Sequence, residues 1–454
     1  MRRGRGGGVV VVVAMAALAT ASCSAVLDFH ECNVDADCVG RSATESLYCN
    51  PDHQCINATP CRVSVDATAA GTPLVIAGLY LQSTAVDGPN DHAIRQAVDL
   101  AAFELNQFGV PVRHVACDTS GDKVSALRSL ELAVTQFKAV AVVGPNTSDE
   151  LIALAPEIRQ RGVVVVSPAA SAATIADLVD DNLIWRTCAS DNLQAKVLAS
   201  LLPAQSPLDL VYVSGDPYAV GLEKAFIGVY GMTGVTPIQF DSGMAASAVA
   251  QMNAHYAVLI ADVDAPALVT ALQGAPGLAA TQFLMTDSAL TPTLWGAGPY
   301  DFTFLTRIRG TAPALPAFTD ASGPVYASFD VSYRGQWNGE PPSETAFVAN
   351  AYDAAYAIAI GAAAAGSSPT GSAIAAELAR MSDHAGTSVQ IGPAQYQAGV
   401  NALLAGGNID LVGTSGPIDW DEKGDVVTAP TEVWQVAQAS DGTPTFKVIS
   451  TENP

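Results

Sequence analysis

The stretch Ala139–Leu178, AVAVVGPNTSDELIALAPEIRQRGVVVVSPAASAATIADL, decides the fold. Val140-Ala141-Val142-Val143 and Val163–Val166 are short β-branched runs of the kind that form strands buried on both faces. Each run ends in a small polar turn, Gly144-Pro145-Asn146-Thr147-Ser148 and Ser167-Pro168-Ala169-Ala170-Ser171. A helix is expected after each turn, and Thr147 with Glu150 has the spacing of a capping box. Two helix N-termini would then open at the carboxyl ends of parallel strands, where open α/β sheets bind ligands. Unpaired N–H groups and the helix dipole favour an anion at such a place, so a small carboxylate is the natural guest.

Outward from this stretch the same alternation continues. Leu74–Leu81 and Val112–Cys117 read as strands, and His92–Gln107 and Lys123–Phe137 as amphipathic helices. The pattern restarts after Leu202, with strands expected at Leu210–Ser214, Ala257–Asp262 and Gln282–Thr286. Strand-helix alternation on this scale means βαβ units with right-handed crossovers. The expected class is α/β: two Rossmann-like lobes with parallel central sheets joined by a hinge, behind a small Cys-rich module.

Composition agrees. A chain of 454 residues exceeds one ordinary core, and 49% hydrophobic with 14% charged residues gives ample material for two. The net charge of −23 disfavours nucleic acid and anionic membrane surfaces as partners. Arg2, Arg3 and Arg5 precede an apolar run, Val9–Ala19, too short to span a bilayer, so residues 1–23 read as an export signal. Two exits compete: ordinary cleavage after Ala19-Thr20-Ala21, or a bacterial lipobox, Thr20-Ala21-Ser22-Cys23, that lipidates Cys23. Either way the chain is exported, and any membrane contact is through the lipid anchor.

Cys32, Cys38, Cys49, Cys55 and Cys61 crowd the module at 24–62, which has few large apolar side chains. Disulfides in an oxidising compartment are the expected staples. Their spacing lacks the tight Cys-x2-Cys pairs of zinc ribbons, so no metal is assigned. Five cysteines cannot all pair within the module, which leaves Cys117 or Cys188 of the main body as partners for Cys61.

From about Leu74 onward the chain resembles the periplasmic leucine/isoleucine/valine-binding family, the type I solute-binding proteins of ABC transporters. Ala139–Leu178 carries the resemblance, followed in the family's order by four segments: Ile184–Leu202 (with Arg186-Thr187 and an Asp-x-x-Gln helix), Leu210–Phe226, Phe347–Ala365 and Gly413–Val426. The resemblance implies a first lobe from 72–200 and 325–366, and a second from 201–324 and 367–454. It also implies ligand contacts. Ser148 and Ser171 match hydroxyls that hold an amino-acid ligand, Ala169 and Ala170 the backbone turn beneath it. Tyr218 matches an aromatic of the second lobe, and Asp287 the acidic partner of the ligand amine. The bland alternatives are that both serines and Asp287 are helix caps and Tyr218 a core tyrosine.

The pattern also departs from the family. Val263-Asp264 stands where amino-acid binders place an aromatic, and Gln82-Ser83-Thr84-Ala85 lacks the usual Leu-Thr-Gly. No Gly-x-Ser-x-Gly elbow, phosphate loop or His-Glu-x-x-His motif occurs, so no enzyme and no cofactor is expected. The expected function is an exported, lipid-anchored receptor in the periplasm or cell envelope. It would close two lobes on an amino acid or related carboxylate for an ABC permease or membrane sensor. The competing expectation is a ligand-free envelope lipoprotein of the same fold that regulates cell-wall synthesis.

Overall fold

The computed structural model describes residues 47–49, 55–57, 60–82, 88–316 and 320–453. The chain divides into two units, Met1–Arg62 and Val63–Pro454. In the first, strands β1 (Leu47–Cys49) and β2 (Cys55–Asn57) pair antiparallel, with Cys49 opposite Cys55. The expected signal segment with Cys23, and Cys32 and Cys38 of the module, lie outside the described residues.

One sheet has the order β3-β5-β4-β6-β7-β8, built from β3 (Cys61–Val65), β4 (Leu74–Tyr80), β5 (Val112–Asp118), β6 (Ala141–Val143), β7 (Val164–Ser167) and β8 (Ile184–Arg186). From β5 to β8 the pairing is parallel throughout. The valines of β6 and β7 are fully buried, as a sheet covered on both faces requires. Helices α1 (Gly88–Gln107), α2 (Lys123–Thr135) and α3 (Ser148–Arg161) form the crossovers. Cys61 and Cys117 are disulfide-bonded, whereas Cys188 is a buried free thiol.

The second turn of the deciding stretch departs from expectation. It leads into a 3-10 turn, Ala173–Asp177, instead of an α-helix. Arg186 Nη1 donates to the carbonyls of Ala170 and Ala172 at 3.2 and 3.0 Å, and the Ala172 carbonyl also accepts the Ile175 N–H at 3.1 Å, the i to i+3 bond of the 3-10 turn.

The chain then crosses to a second sheet. Helix α4 (Asp191–Ser200) packs on α5 (Pro217–Tyr230) and on β13 (Ile308–Pro313), so the crossing falls before Asp191. Strands β9 (Leu208–Val213), β10 (Val235–Phe240), β11 (Tyr256–Ile260) and β12 (Gln282–Met285) complete a parallel set with β13. Short helices α6 (Ala245–Val249), α7 (Ala265–Gln273) and α8 (Phe302–Leu305) intervene. The chain returns through α9 (Gly323–Gln336), which packs on α1. Helix α10 (Val348–Ala364) then lies against β4, β6 and β7.

Helix α10 is buried almost all round, so its far side needs a cover. Helices α11 (Gly371–Leu378) and α12 (Tyr396–Leu404) supply it, with β14 (Thr387–Gln390) and β15 (Ile409–Val412) as a small parallel pair beside them. The segment 367–454 expected in the second lobe therefore divides. Residues 371–404 pack with the first lobe, and only β16 (Thr431–Gln438) and β17 (Pro444–Glu452) join the second sheet.

That sheet has the order β10-β9-β11-β12-β13-β16-β17 and is mixed, because β16 and β17 add antiparallel. A short turn through Asp441-Gly442 makes the hairpin, a connection that only antiparallel strands permit.

Candidate functional site

The lobes face each other across a cleft of about 650 Å3, its open mouth included. One wall is the pair of turns that follow β6 and β7. Gly144 makes the first possible: its φ is +92°, and a Cβ there would strike the Leu79 carbonyl. Two bonds then lock the turns together. The Ala172 N–H donates to Ser148 Oγ at 3.1 Å, and Ser167 Oγ donates to the Pro145 carbonyl at 2.6 Å. Ser148 uses only acceptor capacity in this bond, so its O–H remains available to a ligand.

Ser148, Ala169 and Ser171 all line the cleft. Ala170 does not. It is fully buried, with its N–H on Ser167 Oγ at 3.1 Å and its carbonyl on Arg186. The capping box does not form either: Thr147 sits at the N-cap of α3 but its hydroxyl takes no cap bond. Glu150 instead turns inward, where burial pushes its carboxyl up to about 8 against the pull of Thr119 and Thr147. None of the first-turn N–H groups of α3 is capped by Thr147, and that of Glu150 donates to Asp149 Oδ1 at 2.8 Å.

The opposite wall is acidic. Asp216 caps α5 by accepting from the N–H groups of Tyr218 and Ala219 at 3.1 and 3.3 Å, and this sets Tyr218. The Tyr218 hydroxyl donates to Asp287 Oδ1 at 2.6 Å, and Gln194 Nε2 donates to the same oxygen at 2.9 Å. Tyr218 and Asp287 both line the cleft. Burial raises the Asp287 carboxyl, while these two donors oppose the rise.

Asp191 was not among the residues expected here. It is 1% exposed, no donor meets either carboxylate oxygen with hydrogen-bond geometry, and it lines a recess continuous with the cleft through Ser171 and Asp287. Burial pushes its carboxyl up to about 8, the Asp287 charge adds to this, and the Ser171 hydroxyl beside it opposes. Arg186 also opposes, but is itself paired with Asp425 at 2.7 Å. The signal was present in the Asp-x-x-Gln of α4, whose Gln194 holds Asp287. Cys188 nearby is an inert thiol, pushed up to about 12 by burial.

Phe347 is the second residue not foreseen. It precedes α10 with φ +67°, a conformation costly for a bulky residue, and its ring walls the cleft. Away from the cleft, His384 lies 3.2 Å from Asp410 and 3.6 Å from Asp419.

The periplasmic binding protein family model matches residues 73–401. BasB, the substrate-binding protein of a chemotactic signal transduction system in Halobacterium salinarum, is 26% identical over 374 residues, covering 77% of this chain and 84% of that protein. The branched-chain amino acid transporter substrate-binding protein LivJ of Streptococcus pneumoniae, solved with isoleucine, matches with a TM-score of 0.62 at 19% identity, over 84% of this chain and 100% of that one. A solute-binding protein from R. palustris solved with 4-hydroxybenzoate matches with a TM-score of 0.64 at 15% identity, over 84% and 97%. At such identities the solved structures speak for the fold, whereas the family match spans well over half of the sequence. The chain therefore belongs to the periplasmic binding protein family, with the type I fold.

Proposed function

We propose that the protein is an exported solute receptor that closes its two lobes on an amino acid or a related carboxylate. The observation that carries this reading is the pairing of walls. Uncapped N–H groups and the hydroxyls of Ser148 and Ser171 suit a carboxylate on one side. Asp287 and Asp191 suit an ammonium on the other. Ligand binding would shift an open–closed equilibrium about the crossings before Asp191, after β13 and before β16. Asp287, Asp191 and Tyr218 make the second wall, and Ser148, Ala169 and Ser171 the first.

The closed form would be read by an ABC permease or a membrane sensor; the likeness to a chemotactic substrate-binding protein supports the sensor as well as the permease. Thr20-Ala21-Ser22-Cys23 supports a lipid anchor at the outer face of the membrane. A ligand-free scaffold is the weaker reading, because buried polar atoms such as Ser171 Oγ and Asn146 Oδ1 belong to residues that line the cleft.

Thermal shift of the exported chain against amino acids and aromatic carboxylates tests the proposal. A ligand at 100 times its dissociation constant adds about 2.7 kcal/mol of stability. No shift with any amino acid or carboxylate at millimolar concentration would overturn it.

A further inference from the structure

Away from the cleft, three side chains of the metal-ligating kind converge from three separate segments. One ring nitrogen of His384 and one carboxylate oxygen each of Asp410 and Asp419 lie within 4.8 Å of one another. The backbone that carries them is already fixed. His384 stands on a tight turn leading into β14, closed by the Gly386 N–H donating to the Asp383 carbonyl at 2.7 Å. The Asp383 N–H donates to the Ile409 carbonyl at 3.0 Å, which sets that turn beside Asp410 of β15. Asp419 is held from both sides through Ser382. The Ser382 hydroxyl donates to the Ile418 carbonyl at 2.9 Å and accepts the Trp420 N–H at 2.8 Å.

We infer that His384, Asp410 and Asp419 form a binding site for a divalent transition metal of the zinc class, separate from the solute cleft. Two observations distinguish the trio from an ordinary salt-bridged histidine. First, Asp419 Oδ1 is buried and has no hydrogen-bond donor. His384 Nε2 stands 3.6 Å from it, beyond hydrogen-bond reach, and the Thr428 hydroxyl donates only to the other oxygen, at 3.3 Å. A buried carboxylate oxygen without a donor is costly, and a cation between it and the imidazole satisfies it. Second, the spacing suits a small ion. Nitrogen and oxygen ligands about 2.0–2.2 Å from a tetrahedral zinc stand roughly 3.3 Å from one another. His384 Nδ1 is 3.2 Å from Asp410 Oδ1, and the 3.6 Å to Asp419 is little more.

A metal takes one imidazole nitrogen, so the ring turns on binding. His384 is 73% exposed, which leaves room for that turn and for water in the fourth position. The donor set also selects the ion. Imidazole with carboxylates suits zinc, copper or nickel, whereas calcium and magnesium take oxygen ligands in larger number. The ion would pin Asp419, the first residue of a segment that braces the cleft wall from behind. Trp420 Nε1 donates to the Arg186 carbonyl at 2.6 Å, and Asp425 pairs with the Arg186 guanidinium at 2.7 Å.

Calorimetric titration of zinc into the exported chain at pH 7, stripped of metal by a chelator and carrying no polyhistidine tag, tests the inference. The expected result is one zinc bound per chain, and calcium binding far more weakly. His384→Ala should weaken zinc binding about tenfold or more, since even the loss of an outer partner of a metal site costs that much. Asp410→Asn should act in the same direction. Zinc should raise the melting temperature of wild type and not that of His384→Ala. Without metal the two should melt alike, because an exposed ion pair contributes little to stability. Absence of zinc binding, or unchanged zinc affinity in His384→Ala, overturns the inference. Calcium binding as tight as zinc binding overturns it too, because the trio would then be a cluster of charge without selectivity.

Discussion

The two walls of the cleft are built on opposite principles. The part of the first-lobe wall made by the turns after β6 and β7 carries no charge: small residues and hydroxyls line it, and the Ala172 N–H is held by Ser148 Oγ in a bond that uses the serine oxygen only as acceptor, while Asp91 stands apart at the start of α1. The second wall and the hinge beside it are charged and dry. Asp287 and Asp191 are 5% and 1% exposed. A neutral wall is content with water when no ligand is bound. A pair of buried carboxyls is not, and the raised pKa of both is the sign of that discomfort. On the proposed reading, the first wall would position a carboxylate and the second would make binding depend on a positive group.

Asp287→Asn attacks this contrast most directly. Asparagine keeps an acceptor for Tyr218 and Gln194 but removes the charge. Affinity for an amine-bearing ligand should fall by about 3 kcal/mol, roughly a hundredfold. An aromatic carboxylate without an amine should bind the variant about as well as wild type. Equal losses for both ligand types would mean that Asp287 shapes the wall and does not read charge.

The second effect is on pH. Asp353 is pushed up to about 6, Glu432 to about 7, and Asp191 and Glu150 to about 8, each first by burial. These folded values lie above the unfolded ones, so the folded chain holds more protons than the unfolded chain between about pH 4 and pH 8. Stability therefore falls as pH rises through that window. The ligand-free protein should lose about 2 kcal/mol or more between pH 5 and pH 8, read as a lower melting temperature. An ammonium ligand favours ionised Asp191, so titrations near pH 7 in buffers of different ionisation enthalpy should register proton release. Asp191→Asn should abolish it; undiminished release in that variant would place the proton elsewhere.

On the neutral wall the effects are smaller. Ser171→Ala removes one hydroxyl from the carboxylate site, which is worth about 1 to 1.5 kcal/mol, or roughly five- to tenfold in affinity. It should do so for amine-free carboxylates too, the reverse of the Asp287 result. A loss confined to amines would place Ser171 with Asp191 on the charged side.

The same contrast explains what the sequence could tell. The neutral wall is local: strand, Gly-Pro turn and helix lie within Ala139–Leu178, and Ser148, Ala169 and Ser171 are readable from it. Three expectations there fail: a 3-10 turn follows Ser171 in place of a helix, the Thr147–Glu150 capping box does not form, and Ala170 is buried behind the wall with its carbonyl on Arg186. The charged wall is assembled from α4, α5 and the end of β12, three segments whose meeting depends on a chain crossing. Asp191 has a local mark in its Asp-x-x-Gln spacing to Gln194, but its burial beside Asp287 comes only from the meeting of these segments. Lobe boundaries fail for a like reason: α11 and α12 follow the apolar α10 because its exposed side needs cover, a demand that lies in packing. The antiparallel β16–β17 hairpin does have a local signal, the Asp441-Gly442 turn, but nothing in that turn says which sheet the hairpin joins.

Phe347 offers the smallest effect and separates strain from binding. Its left-handed φ costs on the order of 1 kcal/mol in a residue with a bulky side chain, at a position that glycine would occupy freely. The ring is half-buried and walls the cleft beside Ser171 and Asp287. Phe347→Gly therefore releases strain while removing a partly buried ring, and the two should nearly cancel in the melting temperature of the ligand-free protein. Affinity should fall only a few-fold, because the ligand would bury less apolar area in a cleft without the ring. If instead the melting temperature drops by many degrees and affinity holds, the strained conformation serves the packing of α10. A fall in affinity at constant stability would mean that the strain is maintained to aim the ring at the ligand.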